Sequence, residues 1–387
     1  MGIVTSFDVR YHQQDRDTFC GPDTAMMILN FLQPGEPPLA QSSLRGMIAA
    51  TNDSNATPDG VAAALEANKP QPPTVSFAAE EFDQLSDANA AIVRALFDSG
   101  TPVAAEIHGG FHWAVVCGAL TDVAPAPGVA HQLQGFFLDN PTLPPVAGAQ
   151  QHRDDDLCGR APYRGFLHEF VSATGWARTF RPNRHGKFVC VAASDGAVEA
   201  SAEETLLQPP ADPTVALDPL QRAMDGIAFF QLSSQGPLQE LLTGAVATAS
   251  VHVGGTQPAF YVTMTQKGQN VGFARVTDDD GTLLGVAVTD PGQLHPILTP
   301  LEIVRRLTVA GFVLDEERIQ LRADEFEVGE PIWRPCREAP SPYYALYEIR
   351  MTGEYAFQTI FATTEGRPHA ALTFFDEDRL CDEPAAR

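Results

Sequence analysis

Cysteine is scarce in this sequence. The 387 residues include six cysteines, Cys20, Cys117, Cys158, Cys190, Cys336 and Cys381. So few thiols exclude a disulfide-stabilised scaffold, and none of them forms the CxxC pair typical of a structural zinc site. We therefore expect no metal and no organic cofactor, and we expect most of these side chains to be small buried apolar groups.

Positive charge and long apolar runs are also lacking. The chain has 25 Lys and Arg against 49 Asp and Glu, a formal net charge of −24. Nucleic acids and anionic membranes bind clustered basic residues, so neither is expected as a partner. No run of 18 apolar residues occurs, and the first residues lack the basic-then-apolar order of a signal peptide. A soluble cytoplasmic protein is expected, with non-classical export left open.

The length indicates two domains, because 387 residues is about 2.6 times a typical domain of 150. Residues 196–219 contain several prolines and read as a linker. Residues 1–195 would then form one domain and residues 220–387 an accessory α+β domain.

The first half alternates helical and strand-like patterns, which favours an α+β fold with an antiparallel sheet. Apolar periodicity predicts helices over 21–32 and 89–100. Segments rich in Val, Phe and Ile predict strands over 101–110, 112–120, 135–141 and 186–193.

The second half reads as a loose duplication of a helix followed by strands. The first copy would start with a helix in LQELLTGAVATASV (238–251), and the second with one in PLEIVRRLTVAGF (300–312). Turns are predicted at Gly268 and Gly281 in one copy and at Gly353 and Gly366 in the other. A helix packed on such strands resembles cystatin-like folds in outline.

Cys20 has the sequence setting of a reactive thiol. Gly21 and Pro22 follow it and an apolar helix comes next, so Cys20 is expected at the N-terminus of that helix. The free N–H groups and dipole there stabilise a thiolate. Gln14, six residues earlier, could supply an amide donor that, with the Cys20 backbone N–H, holds an oxyanion.

A catalytic thiol needs a base and a group that orients it. His112 is the best-placed base because it opens the apolar strand HWAVVCGAL; His108, at the end of the preceding strand, is the rival. Asp139, at the end of GFFLDNP, is expected to orient His112, and Asn140 is the alternative.

The order Gln14, Cys20-Gly21, His112-Trp113 and Asp139-Asn140-Pro141 resembles papain-like cysteine peptidases. It is most similar to the compact bacterial branch that includes the double-glycine leader (bacteriocin-processing) peptidases. The resemblance covers roughly residues 5–195. Asn140, inserted before Pro141, departs from the pattern, and no transporter segment is present, so secretion-coupled leader removal is not implied.

These features together predict a cysteine peptidase or amide hydrolase that acts on a peptide or protein substrate. Two alternatives remain: an acyltransferase or transamidase using the same acyl-enzyme, and a non-catalytic peptide- or protein-binding protein with a degenerate peptidase fold. The segment HRDDDLC (152–158) reads as an acidic loop rather than a metal cluster, and Asp278 to Asp280 read as a hairpin turn.

Overall fold

The structure is a computed structural model of the whole chain. It describes residues 2–372 apart from 13, 15–18, 38, 53–55, 71–74, 127–128, 142–167, 195–202, 206, 210–211, 213–215, 289–298, 311, 315–316, 320–321, 337–338, 340–341, 344, 353–358, 364–367 and 370–371. The predicted acidic loop at 152–158 and the predicted turns at Gly353 and Gly366 lie outside the described residues, as do Cys158 and Cys381.

The described residues form eight helices and eighteen strands. The helices are α1 (Cys20–Leu32), α2 (Gln41–Asn52), α3 (Pro58–Asn68), α4 (Leu85–Phe97), α5 (Ala173–Thr179), α6 (Pro219–Phe229), α7 (Gln239–Leu242) and α8 (Pro300–Ala310). The strands of the first half are β1 (Ile3–Ser6), β2 (Ser76–Phe82), β3 (Val103–Ile107), β4 (His112–Thr121), β5 (His131–Asp139), β6 (His168–Ser172), β7 (Phe188–Ser194) and β8 (Glu203–Thr205). Those of the second half are β9 (Val246–Gly255), β10 (Ala259–Gln266), β11 (Gln269–Thr277), β12 (Leu283–Val288), β13 (Phe312–Leu314), β14 (Glu317–Ile319), β15 (Phe326–Trp333), β16 (Leu346–Met351), β17 (Thr359–Thr363) and β18 (Pro368–His369).

One large sheet contains sixteen of these strands. Its main path runs β18-β17-β16-β15-β9-β10-β11-β12-β6-β5-β4-β3-β7-β2, with β1 paired to β4 and β8 paired to β5. The neighbours along this path are antiparallel except β15 and β9, and β8 lies parallel to β5. The α+β class is therefore confirmed.

The two faces of the sheet carry separate apolar clusters, because successive residues of a strand point to opposite faces. On β4, Trp113 and Val115 pack with residues of α1. Ala114 and Val116 pack instead with residues of α4. Trp113 is therefore a core residue, and the alternation sets α1 and α4 on opposite sides of β4.

Several predicted elements of the first half agree with the structure. The helix expected over 21–32 is α1, and the helix expected over 89–100 is α4, which begins four residues earlier than predicted. The four predicted strands correspond to β3, β4, β5 and β7.

The helix predicted over 238–251 is wrong. Only Gln239–Leu242 is helical, and Val246–Gly255 is strand β9. Gly244, with φ +73°, interrupts the helix, and the β-branched residues that follow suit an extended chain. The helix that precedes the strands of the second half is α6 instead.

The predicted linker is not a break in the sheet. Strand β8 lies inside it and pairs with β5. Further on, β6 of the first half pairs with β12 of the second, with Phe170 opposite Val286. The two predicted domains therefore share one hydrogen-bonded ladder, and their division into separate folding units stays a prediction.

Candidate functional site

Cys20 is the first residue of α1 and is buried, with 5% of its surface exposed. The first backbone hydrogen bond of the helix runs from Asp23 N–H to the Phe19 carbonyl. The helix itself supplies no acceptor for the Cys20 N–H, as for any residue of a first turn. Cys20 therefore lies at the N-terminus of a helix, as the sequence predicted.

A buried polar cluster fixes the chain that precedes Cys20. Asp23 Oδ1 lies 2.9 Å from His12 Nδ1 and accepts a 2.8 Å hydrogen bond from Gln41 Nε2. Burial raises the pKa of Asp23, against the hydrogen bond and charge of His12. This cluster ties residue 12 to α1 and α2, only two positions before Gln14.

Gln14 itself is buried, and its Oε1 has no hydrogen-bond partner among the described residues. An amide whose oxygen is unpaired in the interior is unusual, since most buried polar atoms are hydrogen-bonded. The oxyanion role predicted for Gln14 uses its amide N–H₂, and this role stays a prediction.

His112 is the first residue of β4, and its partner is Asn140. The His112 Nε2 lies 2.7 Å from Asn140 Oδ1. An amide oxygen only accepts, so Nε2 carries the proton and Nδ1 is the basic nitrogen. Burial lowers the pKa of His112 to about 4, although the hydrogen bond to Asn140 acts to raise it. The imidazole is therefore neutral at neutral pH.

Asp139 contacts a different histidine. Its Oδ1 accepts a 3.1 Å hydrogen bond from His168 Nδ1, and Cys117 is a further close neighbour. Of the two residues considered as partner of His112, the structure pairs Asn140 with it and directs Asp139 to His168. The reason is strand alternation: consecutive residues at the end of β5 point to opposite faces.

His108, the rival base, lies beside His112. The two rings stack with centroids 6.3 Å apart. His108 occupies the left-handed region at φ +56° in the turn between β3 and β4, a conformation uncommon outside glycine. Its ring is also 5.9 Å from that of Trp333 on β15.

A short series of contacts joins the start of α1 to the start of β4. A Cβ at Gly21 would lie 3.0 Å from the Cβ of Ala56. The Ala56 carbonyl accepts a 2.9 Å hydrogen bond from Trp113 Nε1. Trp113 shares an apolar cluster with Cys20 on the α1 face of β4. His112 is the preceding residue of the strand, so its side chain points to the other face, where its pairing partner Ile107 and Ala114 pack with α4.

Comparison with known proteins identifies no relative. No family model, no curated protein and no solved structure matches the chain.

Sequence reasoning missed two groups of polar residues. His12, Asp23 and Gln41 come from three separate segments, as do Cys117, Asp139 and His168, so neither group leaves a short motif. The second group is the one set of His, Cys, Asp or Glu side chains among the described residues whose spacing suits a metal ion. Cys117 is a protonated thiol, because burial and the charge of Asp139 raise its pKa.

Two further expectations concern the periphery of the molecule. Asp278 to Asp280 form a turn between β11 and β12 that ends at Gly281, with φ +67°, as predicted. Among the described helices, none combines the length and apolar character that crossing a membrane demands.

Proposed function

We propose that the protein is a thiol hydrolase that cleaves an amide bond of a peptide or protein, with Cys20 as nucleophile and His112 as base. The proposal requires the His112 imidazole, which opens β4 on the face opposite α1, to reach the Cys20 sulfur around the end of the strand. The observation that carries it is the 2.7 Å hydrogen bond between His112 Nε2 and Asn140 Oδ1. It directs the basic Nδ1 away from Asn140, as in a Cys-His-Asn triad. In this proposal Asn140, rather than Asp139, orients the base.

The first half-reaction makes an acyl-enzyme. His112 Nδ1 takes the proton of the Cys20 thiol, and the sulfur forms a bond to the substrate carbonyl carbon. The negative charge that develops on the carbonyl oxygen is held by the Cys20 backbone N–H and the Gln14 amide. The C–N bond then breaks, and His112 returns its proton to the leaving amine.

The second half-reaction releases the product. His112 takes a proton from water, the hydroxide oxygen attacks the thioester carbon, and the C–S bond breaks. The sulfur recovers the proton, so the thiol and the neutral imidazole are restored. Asn140 stays hydrogen-bonded to His112 Nε2 through both steps, so Nδ1 remains the nitrogen that exchanges protons.

The test is cleavage of a mixed peptide library, with new amino termini identified by mass spectrometry. Cys20→Ala and His112→Ala should each lower the rate by about 10³-fold or more, because members of a triad act as a unit. Gln14→Ala should lower it by about 10²-fold, the usual effect of losing one oxyanion donor.

Cys190→Ala is the matched control, because Cys190 is a fully buried thiol on β7. It should cleave within about twofold of the unmodified protein, because Cys190 lies in the apolar cluster on the other face of the sheet from Cys20. Equal cleavage by Cys20→Ala and the unmodified protein would overturn the proposal, as would the absence of any cleavage by the unmodified protein.

A further inference from the structure

Three potential metal ligands converge where β4, β5 and β6 lie side by side. Cys117 lies at an irregularity of β4, where the pairing with β5 shifts between Val116 and Gly118. Such a bulge re-aims a side chain. Asp139 ends β5 and His168 begins β6, and the register that pairs Leu138 with Glu169 sets them opposite each other.

The ligand atoms are close enough for one ion. The Cys117 sulfur, an Asp139 oxygen and a His168 ring nitrogen all lie within 4.8 Å of one another. The Asp139 Oδ1 and His168 Nδ1 are 3.1 Å apart. Ligands of a tetrahedral zinc ion lie about 3.3–3.8 Å apart, given bonds of about 2.0–2.3 Å. Small side-chain rotations therefore convert this arrangement into three corners of a tetrahedron.

The Asp139 carboxylate is incompletely satisfied. The carboxylate interacts with His168 and with the Cys117 thiol, and its buried Oδ2 has no further hydrogen-bond partner among the described residues. An unpaired carboxylate oxygen in the interior is costly, and a bound cation is one of the few groups that satisfy it. Asp8 adds further negative charge, because it acts electrostatically on both Asp139 and His168.

We propose that Cys117, Asp139 and His168 bind a zinc ion. The mixed sulfur, nitrogen and oxygen set favours zinc over magnesium or calcium, which prefer oxygen ligands alone. The sulfur and the carboxylate are fully buried, whereas 20% of the His168 side chain is exposed. Solvent can therefore reach the fourth corner of the tetrahedron from the side of His168, and a water molecule completes the coordination there.

Binding has a defined proton balance. The Cys117 thiol must lose its proton to become a ligand, so each zinc ion that binds releases one proton from Cys117 to solvent. No bond other than the metal–ligand bonds forms and no electron is transferred. The site contains neither Cys20 nor His112, so it stands independently of the proposed hydrolase activity and gives Asp139 a role of its own.

The test is a titration of the full-length protein, stripped with a chelator, with Co²⁺ and then Zn²⁺. Co²⁺ bound to a thiolate gives a sulfur-to-metal charge-transfer band in the near ultraviolet, so the expected result is one equivalent of this band, removed on adding Zn²⁺. Cys117→Ser should abolish the band. Asp139→Asn, which keeps the shape of the side chain, should weaken Co²⁺ binding at least tenfold, and His168→Gln should do the same.

Cys190→Ser and Cys20→Ser are the matched thiol controls and should keep the band. Absence of the band from the unmodified protein at millimolar Co²⁺ would overturn the proposal without reference to any variant. A band that survives in Cys117→Ser would also overturn it, because the metal would then be held by another thiol. Neither result bears on peptide cleavage, so failure of this proposal is distinguishable from failure of the hydrolase proposal.

Discussion

At the scale of single residues, the partner of His112 decides the protonation chemistry of the site. Asn140 is neutral, so it orients the imidazole without stabilising its charged form as strongly as a carboxylate would. Burial then dominates and holds the pKa of His112 at about 4. The His112 imidazole is thus neutral and able to take a proton across the neutral and mildly acidic range.

Exchanging this partner should move the acid limb of the pH–rate profile. In the unmodified protein kcat/KM should fall with acidification near pH 4, as the pKa of His112 is about 4. Asn140→Asp places a carboxylate against Nε2, which favours the imidazolium, so the limb should move to higher pH. The measurement is kcat/KM on one cleaved peptide between pH 3 and pH 9.

Asn68→Asp, an Asn-to-Asp change on α3, is the control and should leave the limb where it is. If Asn140→Asp and the unmodified protein have their acid limbs at the same pH, His112 is not the base.

Glu106 on β3 should make the free energy of unfolding depend on pH. Burial raises its pKa from 4.5 to about 7, against a hydrogen bond from Asn183. Between these two pH values the native state holds a proton that the unfolded state has lost, so stability falls as the pH rises through this interval. The full effect is roughly 3 kcal/mol, reached above pH 7.

Glu106→Gln should remove this loss, since a neutral amide of the same shape has no charge to bury. We expect the variant to be more stable than the unmodified protein by up to roughly 3 kcal/mol at pH 8 and nearly equal to it at pH 4. Urea denaturation at the two pH values measures this. Glu327→Gln, at an exposed site on β15, is the control, and a less stable Glu106→Gln at pH 8 would contradict the argument.

The sequence predicts where the elements that carry Cys20 and His112 begin. It does not predict whether Asp139 or Asn140 is the hydrogen-bond partner of His112. Pro22 in the first helical turn indicates where α1 begins, and the apolar run after His112 indicates where β4 begins. Asp139 and Asn140 are adjacent and both can accept from an imidazole. Only the direction of each side chain at the end of β5 distinguishes them, and composition carries no information on that direction.

At the scale of elements, α5 packs closely against β12 because its contact residue, Gly175, has no side chain. A Cβ at Gly175 would overlap the Leu284 carbonyl oxygen. Ser172 caps this helix by accepting from the Gly175 N–H at 3.2 Å, and its hydroxyl donates to the Leu283 carbonyl at 2.6 Å. The small residue and the cap together hold a helix of the first half against a strand of the second.

Gly175→Ala should therefore push α5 away from β12 and destabilise the protein by about 1–3 kcal/mol, the usual effect of overpacking. Gly46→Ala is the matched helical control, because nothing lies within 4 Å of a Cβ at Gly46 and the residue is exposed on α2. It should be neutral or stabilising by about 0.5–1 kcal/mol. Thermal unfolding of both variants checks this, and equal melting temperatures would refute the contact.

Elements with a strong apolar pattern in the sequence were predicted correctly. Elements whose conformation depends on tertiary contacts were not. Helix α1 is buried over most of its length and β4 over all of it, so both leave long apolar runs. The stretch at 246–255 is mostly exposed or half-buried, and its alternation is weak. Its extended form depends on pairing with β10, which a local pattern does not report.

At the scale of the whole molecule, the β6–β12 ladder joins the two halves of the chain. Backbone hydrogen bonds cross from 168–171 to 285–288, and α5 spans the same junction. Separating the halves would expose two unpaired strand edges as well as apolar surface on both faces. We therefore expect the two halves to unfold together.

Scanning calorimetry of the full chain should show one transition, with a calorimetric enthalpy equal to the van't Hoff enthalpy. Tryptophan emission offers a second probe, since Trp113 and Trp176 lie in the first half and Trp333 in the second. Variants that keep only Trp176 or only Trp333 should give coincident denaturation curves. Two resolved transitions would show that the halves are independent units despite the shared sheet.

The indole of Trp333 reaches across this junction to the ring of His108, which in turn stacks on His112. It also lies 5.7 Å from the guanidinium of Arg275, which is buried between aromatic rings. A displacement of β15 would consequently alter the surroundings of the imidazole pair through a single aromatic intermediary. The second half of the chain therefore contributes directly to the surroundings of the two histidines at the start of β4.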